Sequence, residues 1–265
     1  MAGDDSNFGG TAGGQFPATR WSAVLAARSD DPAERSRALD LLIRAYWKPV
    51  YKYIRMRWNK PREDAQDLTQ EFFARVIEKG FFDRYDPAKA RLRTFVRVCV
   101  DGTVANEAKA AGRLKRGGDA VHLSLDFDSA ETELGRAGAS FVDRDKPGLR
   151  EIASPDSMEE FFEKEWVRSL FSLAVETLRG ECERRGKQID FRLFEIYDLE
   201  DSGGGRASYD DLARDFGIAV TDVTNYLSFA RREFRRIALE KLREMCATEE
   251  EFRREARAIF GIDPA

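Results

Sequence analysis

Four side chains between positions 67 and 74 share one side of any helix drawn through them. Asp67, Gln70, Glu71 and Ala74 fall at i, i+3, i+4 and i+7. They make an acidic, hydrogen-bonding strip of little bulk, suited to docking on another surface. A second group is aromatic and cationic. Phe81, Phe82 and Tyr85 precede Arg91, Arg93, Thr94, Phe95 and Arg97, and Lys109 and Arg113 follow. Cations meet phosphates and exposed rings stack on bases, so this mixture suits single-stranded nucleic acid. A third group is polar and then basic: Thr221, Asp222, Thr224, Asn225 and Ser228, then Arg231, Arg232 and Arg235. Asn225 can pair with adenine and Asp222 can accept from cytosine N4, while the arginines hold phosphates. Carboxylates are plentiful, but no nucleophile, base, phosphate loop or metal set can be assembled from them. His122 is the only histidine and has no cysteine cluster near it, which argues against a zinc site or a His-dependent triad. The expectation is a binding protein, not an enzyme, with no metal and no cofactor.

The elements that must position these groups read as helices. Ala65, Leu68, Phe72 and Val76 form an apolar stripe opposite the acidic strip. Pro61 and a capping Asp64 mark the start of that helix, which ends near Gly80. Before it, Asp31-Pro32 opens a longer helix with the stripe Leu39, Leu42, Ile43, Tyr46, Trp47, Val50 and Ile54. Pro49 should kink or loosen it. Its other side carries Arg44, Lys48, Lys52, Arg55 and Arg57. A short helix after Thr19, with Trp21, Val24 and Leu25, precedes both. Leu92, Phe95, Val96 and Val100 begin a further helix running to about Arg113, with the 81–87 loop exposing its rings in front of it.

The segment 119–157 shows little periodicity and reads as an acidic linker with at most one short piece around 121–127. Beyond it, Phe161, Phe162, Trp166, Leu170, Leu173 and Leu178 make a broad apolar helix face, and 190–199 makes another helix. Between 209 and 228 lies a helix-turn-helix pattern. Leu212, Phe216, Ile218, Val223 and Tyr226 supply the apolar positions, Ala213 the small one and Gly217 the left-handed turn. Ser208 with Asp211 reads as a capping box and Thr221 as the cap of the second helix. Phe252, Ala256 and Ile259 give the tail an amphipathic helix. The fold expected is all-α, with two helical domains joined by a long acidic linker. Its parts are a disordered tail (1–16), an N-terminal domain (17–118), the linker (119–157), a C-terminal helix-turn-helix domain (158–246) and a helical tail (247–265).

The net charge of −4 argues against a polyanion partner, but its distribution argues for one. Residues 41–62 hold seven Lys or Arg and no acid, and residues 91–116 hold seven against two acids. Residues 119–166 hold thirteen acids against five bases. Cys99, Cys182 and Cys246 are odd in number and far apart, as expected of reduced thiols in a cytoplasmic protein. No apolar run is long enough to span a membrane.

These parts together resemble bacterial RNA polymerase sigma factors of the extracytoplasmic-function type, over about residues 17–243. Ala45-Tyr46-Trp47-Lys48-Pro49-Val50-Tyr51 and Glu63-Asp64-Ala65-Gln66-Asp67-Leu68-Thr69-Gln70-Glu71-Phe72-Phe73 look like that family's most recognisable block. Arg91-Leu92-Arg93-Thr94-Phe95 looks like its promoter-melting segment, and Phe16-Pro17-Ala18-Thr19-Arg20-Trp21 like the entry of a large subgroup. The resemblance implies that Asp67, Gln70, Glu71 and Ala74 dock on core RNA polymerase. It implies that Tyr85, Arg91, Arg93, Thr94, Phe95, Arg97, Lys109 and Arg113 hold an unwound −10 promoter element. It implies that residues 221–235 read a −35 element. Two departures stand out: Thr221-Asp222-Val223-Thr224-Asn225-Tyr226 is less basic than is usual in relatives, and Leu92 stands where relatives often carry an aromatic. Many relatives are held inactive by an anti-sigma protein, and a Ser/Thr kinase is the further partner that a modified Thr69 would imply. Thr69 is the candidate phosphorylation site, where phosphate would add about −1.5 to −2 of charge. Two rival readings are a helix-turn-helix regulator working without core polymerase and a decayed sigma factor that titrates polymerase.

Overall fold

The computed structural model describes residues 22–78, 80–110, 123–141, 155–200 and 207–263. All regular structure among them is helical: α1 (Ala23–Ala26), α2 (Pro32–Arg57), α3 (Arg62–Ile77), α4 (Leu92–Ala110), α5 (Phe127–Phe141), α6 (Pro155–Arg184), α7 (Gln188–Phe194), α8 (Tyr209–Phe216), α9 (Val220–Glu244) and α10 (Glu249–Phe260). A single tight turn at Phe82–Arg84 follows α3, and a π-helical turn at Glu195–Leu199 follows α7. The tail 1–16, Thr19, Trp21, Arg113 and His122 lie outside the described residues.

The expected stripes of α2 and α3 face inward. Leu42, Tyr46, Val50 and Ile54 of α2 and Ala65, Leu68, Phe72 and Val76 of α3 are all buried. Asp31 caps α2 by accepting from the Ala33 N–H at 3.0 Å. The helix runs unbroken through a buried Pro49, whose neighbours in the core hold the turn that a free helix would lose. The start of α3 differs from expectation. It begins at Arg62 with Pro61 as the half-in residue, and Asp64 sits inside the first turn with Glu63. Their carboxylates there complement the helix dipole rather than cap an amide.

The segment expected to be a linker with at most one short piece around 121–127 holds the fifteen-residue α5, which begins at Phe127. Its buried residues Phe127, Ala130 and Leu134 do fall at i, i+3 and i+7, a short period that the surrounding acids and glycines mask in the sequence. The Phe127 ring packs edge-on to Trp47 at 5.7 Å and against Tyr51 at 4.9 Å. Ala130 and Leu134 complete the buried contact with α2.

Two hydrophobic cores result, and α6 runs through both. The first gathers α1–α5, Met158 to Leu173 of α6, Leu242 at the end of α9, and Phe252 and Ala256 of α10. The second gathers Ala174, Leu178 and Cys182 of α6 with α7, α8 and Val223 to Ala238 of α9. The first half of α6, read from sequence with the C-terminal helices, therefore packs against the N-terminal ones.

Between α8 and α9 the chain turns at Gly217 with φ +63°. Its N–H and that of Ile218 return to the last carbonyls of α8. Ser208 accepts from the Asp211 N–H at 3.1 Å and caps α8. Thr221 does not cap α9. Ala219 is the half-in residue, and its N–H donates to the Asp222 carboxylate at 3.3 Å, because the helix starts two residues earlier than expected.

Gly217 and Gly180 make a paired test, since a Cβ at either meets nothing within 4 Å. Gly217→Ala should cost about 1 kcal/mol or more for its left-handed backbone alone. Gly180→Ala, inside α6, should stabilise by about 0.5–1 kcal/mol. Urea unfolding midpoints moving in opposite directions would show it; movement in the same direction would contradict the assigned backbone.

Candidate nucleic-acid interface

The acidic strip on α3 is partly in use. Asp67 is exposed, and Gln70, Glu71 and Ala74 are half-buried. Gln70 forms a two-way bond with the backbone of Leu123. Its amide donates to the Leu123 carbonyl at 2.7 Å and its carbonyl accepts from the Leu123 N–H at 2.9 Å. Glu71 pairs with Arg75 one turn on. Thr69, expected on this surface, is fully buried, and its hydroxyl donates to the Ala65 carbonyl at 2.6 Å. Its position one turn from both Ala65 and Phe73 puts it on the apolar side, so a kinase has no access to it in this fold.

The basic side of α2 is covered by the acids of α5 and α6. Lys48 and Lys52 both bond Glu133, at 2.6 and 2.7 Å, and Lys52 also bonds Glu165 at 2.7 Å. Arg55 bonds Glu131 at 2.7 Å, the Tyr51 hydroxyl donates to the same carboxylate at 2.5 Å, and Arg62 pairs with Asp128. The Arg55 bond holds the Glu131 carboxyl below the usual range against a smaller burial effect. Burial pushes the Glu133 carboxyl up, but bonds and charge from Lys48 and Lys52 outweigh it and hold it down.

The aromatic loop is packed inward, contrary to expectation. Phe81, Phe82 and Tyr85 are all buried. Phe81 stacks edge-on to Phe72 at 5.9 Å and to Phe95 at 5.8 Å. An alternating polar and aromatic loop gives no sign of which rings the core takes; here the gap between α3 and α4 takes them. Beside them is a cleft of about 470 Å³ lined by Arg75, Phe81, Arg84, Cys99, Thr103 and Asn106. The Arg84 guanidinium lies over the Phe81 ring at 5.5 Å.

The cations at the start of α4 are also paired. Arg93, expected at the surface, is 5% exposed. It bonds Glu255 of α10 and lies 3.2 Å from Glu163 of α6, with its guanidinium over the Trp166 ring at 5.1 Å. Arg91 lies 3.0 Å from Glu255 Oε1 as an ion pair without hydrogen-bond alignment. Arg97 pairs with Glu159 at 3.1 Å, and the Tyr85 hydroxyl donates to Glu251 at 2.6 Å. Thr94 and Phe95 are half-buried. Lys109 lies on α4. The sequence reading missed Glu163, Glu251 and Glu255; the i, i+4 spacing of Glu251 and Glu255 was the available signal.

On α9, Thr221, Thr224, Asn225 and Ser228 are exposed and Asp222 is half-buried. Arg231, Arg232 and Arg235 continue the exposed side, with Arg231 held by Asp198 at 2.8 Å. The third group of candidate residues is thus brought together on one helix. Among the described residues no group of three His, Cys, Asp or Glu side chains is placed to hold a metal ion. No helix among them is long and apolar enough to cross a membrane.

Residues 42–114 match the family described as Sigma-70 region 2. The match covers α2 from Leu42, all of α3, the aromatic turn and α4. It supports a sigma factor, with a role in RNA polymerase binding and promoter recognition. No curated protein and no solved structure matches the chain.

The depressed carboxyls of α5 carry a pH signature. A group whose pKa falls on folding stabilises above its unfolded value, about 4.3 for Glu, and stops doing so as pH drops through the folded value. Amide exchange in α5 should therefore speed up below about pH 4, relative to α6. Glu131→Gln/Glu133→Gln should flatten that dependence; an unchanged profile would mean that the ion pairs do not hold α5.

Proposed function

We propose that the chain is a sigma factor of the extracytoplasmic-function type, binding core RNA polymerase and directing promoter recognition and melting. The observation that carries this reading is the region 2 match across α2–α4. In it, the N-terminal unit (17–118) binds polymerase through Asp67, Gln70, Glu71 and Ala74. The unwound −10 strand is held at Tyr85, Arg91, Arg93, Thr94, Phe95 and Arg97, with Lys109 and Arg113 beyond. The cleft beside Phe81 and Arg84 has the size and the aromatic and cationic lining for a flipped base. The 119–157 segment links this unit to the C-terminal one (158–246).

The pair α8–α9 acts in this reading as a helix-turn-helix. The exposed start of α9 would enter the major groove of the −35 element, with Thr221, Asp222, Thr224, Asn225 and Ser228 at base edges. Arg231, Arg232 and Arg235 would hold phosphates. The half-buried Asp222 already accepts from the Ala219 N–H, which leaves Asn225 as the main base reader. Such a protein works in the cytoplasm, carries out no reaction of its own and needs no cofactor.

Transcription in vitro with cognate core polymerase, on upstream DNA of the chain's own operon, tests the reading. The parent should support initiation, and Asp67→Ala/Gln70→Ala should lower it by about tenfold or more at equal protein. Asn225→Ala should weaken initiation at matched −35 sequences by about 1–3 kcal/mol, one good base contact. A chain that protects duplex DNA alone, without binding polymerase, would instead be a free-standing regulator. Polymerase binding with no initiation at any promoter would mark a titrating protein.

A further inference from the structure

Helix α10 is sided in an unusual way. Its inward face holds Glu251 and Glu255 with Phe252 and Ala256, all buried, while Arg253, Arg254 and Arg257 face solvent. A helix serving only to close a core would turn apolar residues inward, because burying charge is costly unless it is paired. Here the two carboxylates are paired, and their side-chain partners lie in one place. Glu255 takes Arg91 and Arg93, and Glu251 takes the Tyr85 hydroxyl and the Ala247 N–H. Arg91, Arg93 and Tyr85 are the groups assigned above to the unwound promoter strand.

We propose that α10 is an autoinhibitory strap, with Glu251 and Glu255 occupying the positions that promoter phosphates and a base take when DNA binds. The proposal rests on the promoter-binding role given to the 42–114 stretch. The strap has its own stops. Thr248 accepts from the Glu251 N–H at 3.1 Å, and Gly261 ends the helix in a left-handed conformation. It joins α9 through the short 245–248 connection. It can therefore leave as one helix while α9 stays packed on α6 and α7. Glu163 of α6 remains beside both arginines after release, so they are not left without a counter-charge before DNA arrives.

The test uses the full chain and a short fluorescein-labelled, mixed-sequence single strand of DNA. Anisotropy titrations over a salt series compare the parent, Glu251→Gln/Glu255→Gln and that variant with Arg91→Ala added. The double variant should bind about tenfold tighter than the parent. Its salt slope should steepen by about 0.7 for each arginine released to a phosphate. Arg91→Ala should remove part of the gain. In the parent, amides of 249–260 should exchange faster when the strand, or strand with polymerase, is bound, while those of α9 should not. This arm decides if the double variant fails to fold. Equal binding by a folded double variant, or α10 amides protected alike with and without DNA, overturns the strap. If polymerase-bound parent takes the strand with α10 still protected, only the strap falls. If polymerase-bound parent takes no strand at all, the promoter role of 42–114 falls with it.

Discussion

Lys52 is the point on which the arrangement turns. Its side chain is 2% exposed, and its ammonium sits between carboxylates from two other helices, Glu133 of α5 and Glu165 of α6. Unpaired, a charge at that depth costs several kcal/mol, so α2 can lie as it does only where α5 and α6 bring acids to it. Glu165 is itself shared with Arg168. The basic helix of the region 2 stretch is thus completed electrostatically from outside that stretch. These pairs add to the apolar seat of Phe127, Ala130 and Leu134 on α2: the acids of α5 match the spacing of Lys48, Lys52 and Arg55 along that helix.

Helices whose evidence lies within one element were legible in the sequence. The α2 and α3 stripes needed only the 3.6-residue period, and Gly217 needed only the left-handed turn between two apolar runs. What failed depended on distant partners. Thr69 was placed on a surface because its own turn is polar, yet its hydroxyl can be satisfied by the Ala65 carbonyl and so buried without loss. Phe81 and Phe82 were placed outside because a loop has no period; α3 and α4 left a gap for them. Arg93 was placed at a surface because arginines are usually there, and a glutamate from the last helix buried it. For the proposed interface, the chemical types were legible but their accessibility was not.

Charge shows the same division. Separate basic and acidic blocks along the chain suggested a surface open to a polyanion. The structure brings those blocks into register, Lys48, Lys52, Arg55 and Arg62 against α5, and Arg91, Arg93 and Arg97 against α6 and α10. A chain with net charge −4 can afford this pairing because its acids outnumber its bases. The field outside the molecule is correspondingly weaker than the sequence blocks imply.

Such pairing makes binding an exchange rather than an addition. In the proposed strap, a phosphate that replaced Glu255 on Arg91 and Arg93 would leave the arginines their counter-charge and return the carboxylates to water, where they are well solvated. Coulomb terms at the arginines therefore largely cancel between the strapped and DNA-bound states. The difference is left to the apolar contacts of Phe252, Ala256, Ile259 and Phe260, to the Arg243–Glu249 pair, to stacking on the rings, and to counterions released from the DNA. Those contacts come from one face of a twelve-residue helix, whose far end is the Phe260 ring 5.7 Å from Phe171 of α6. A strap held by exchangeable charge and a small apolar face is strong enough to close over free arginines. Under the proposed function it would also be weak enough for a polyanion, presented at high local concentration on polymerase, to displace it.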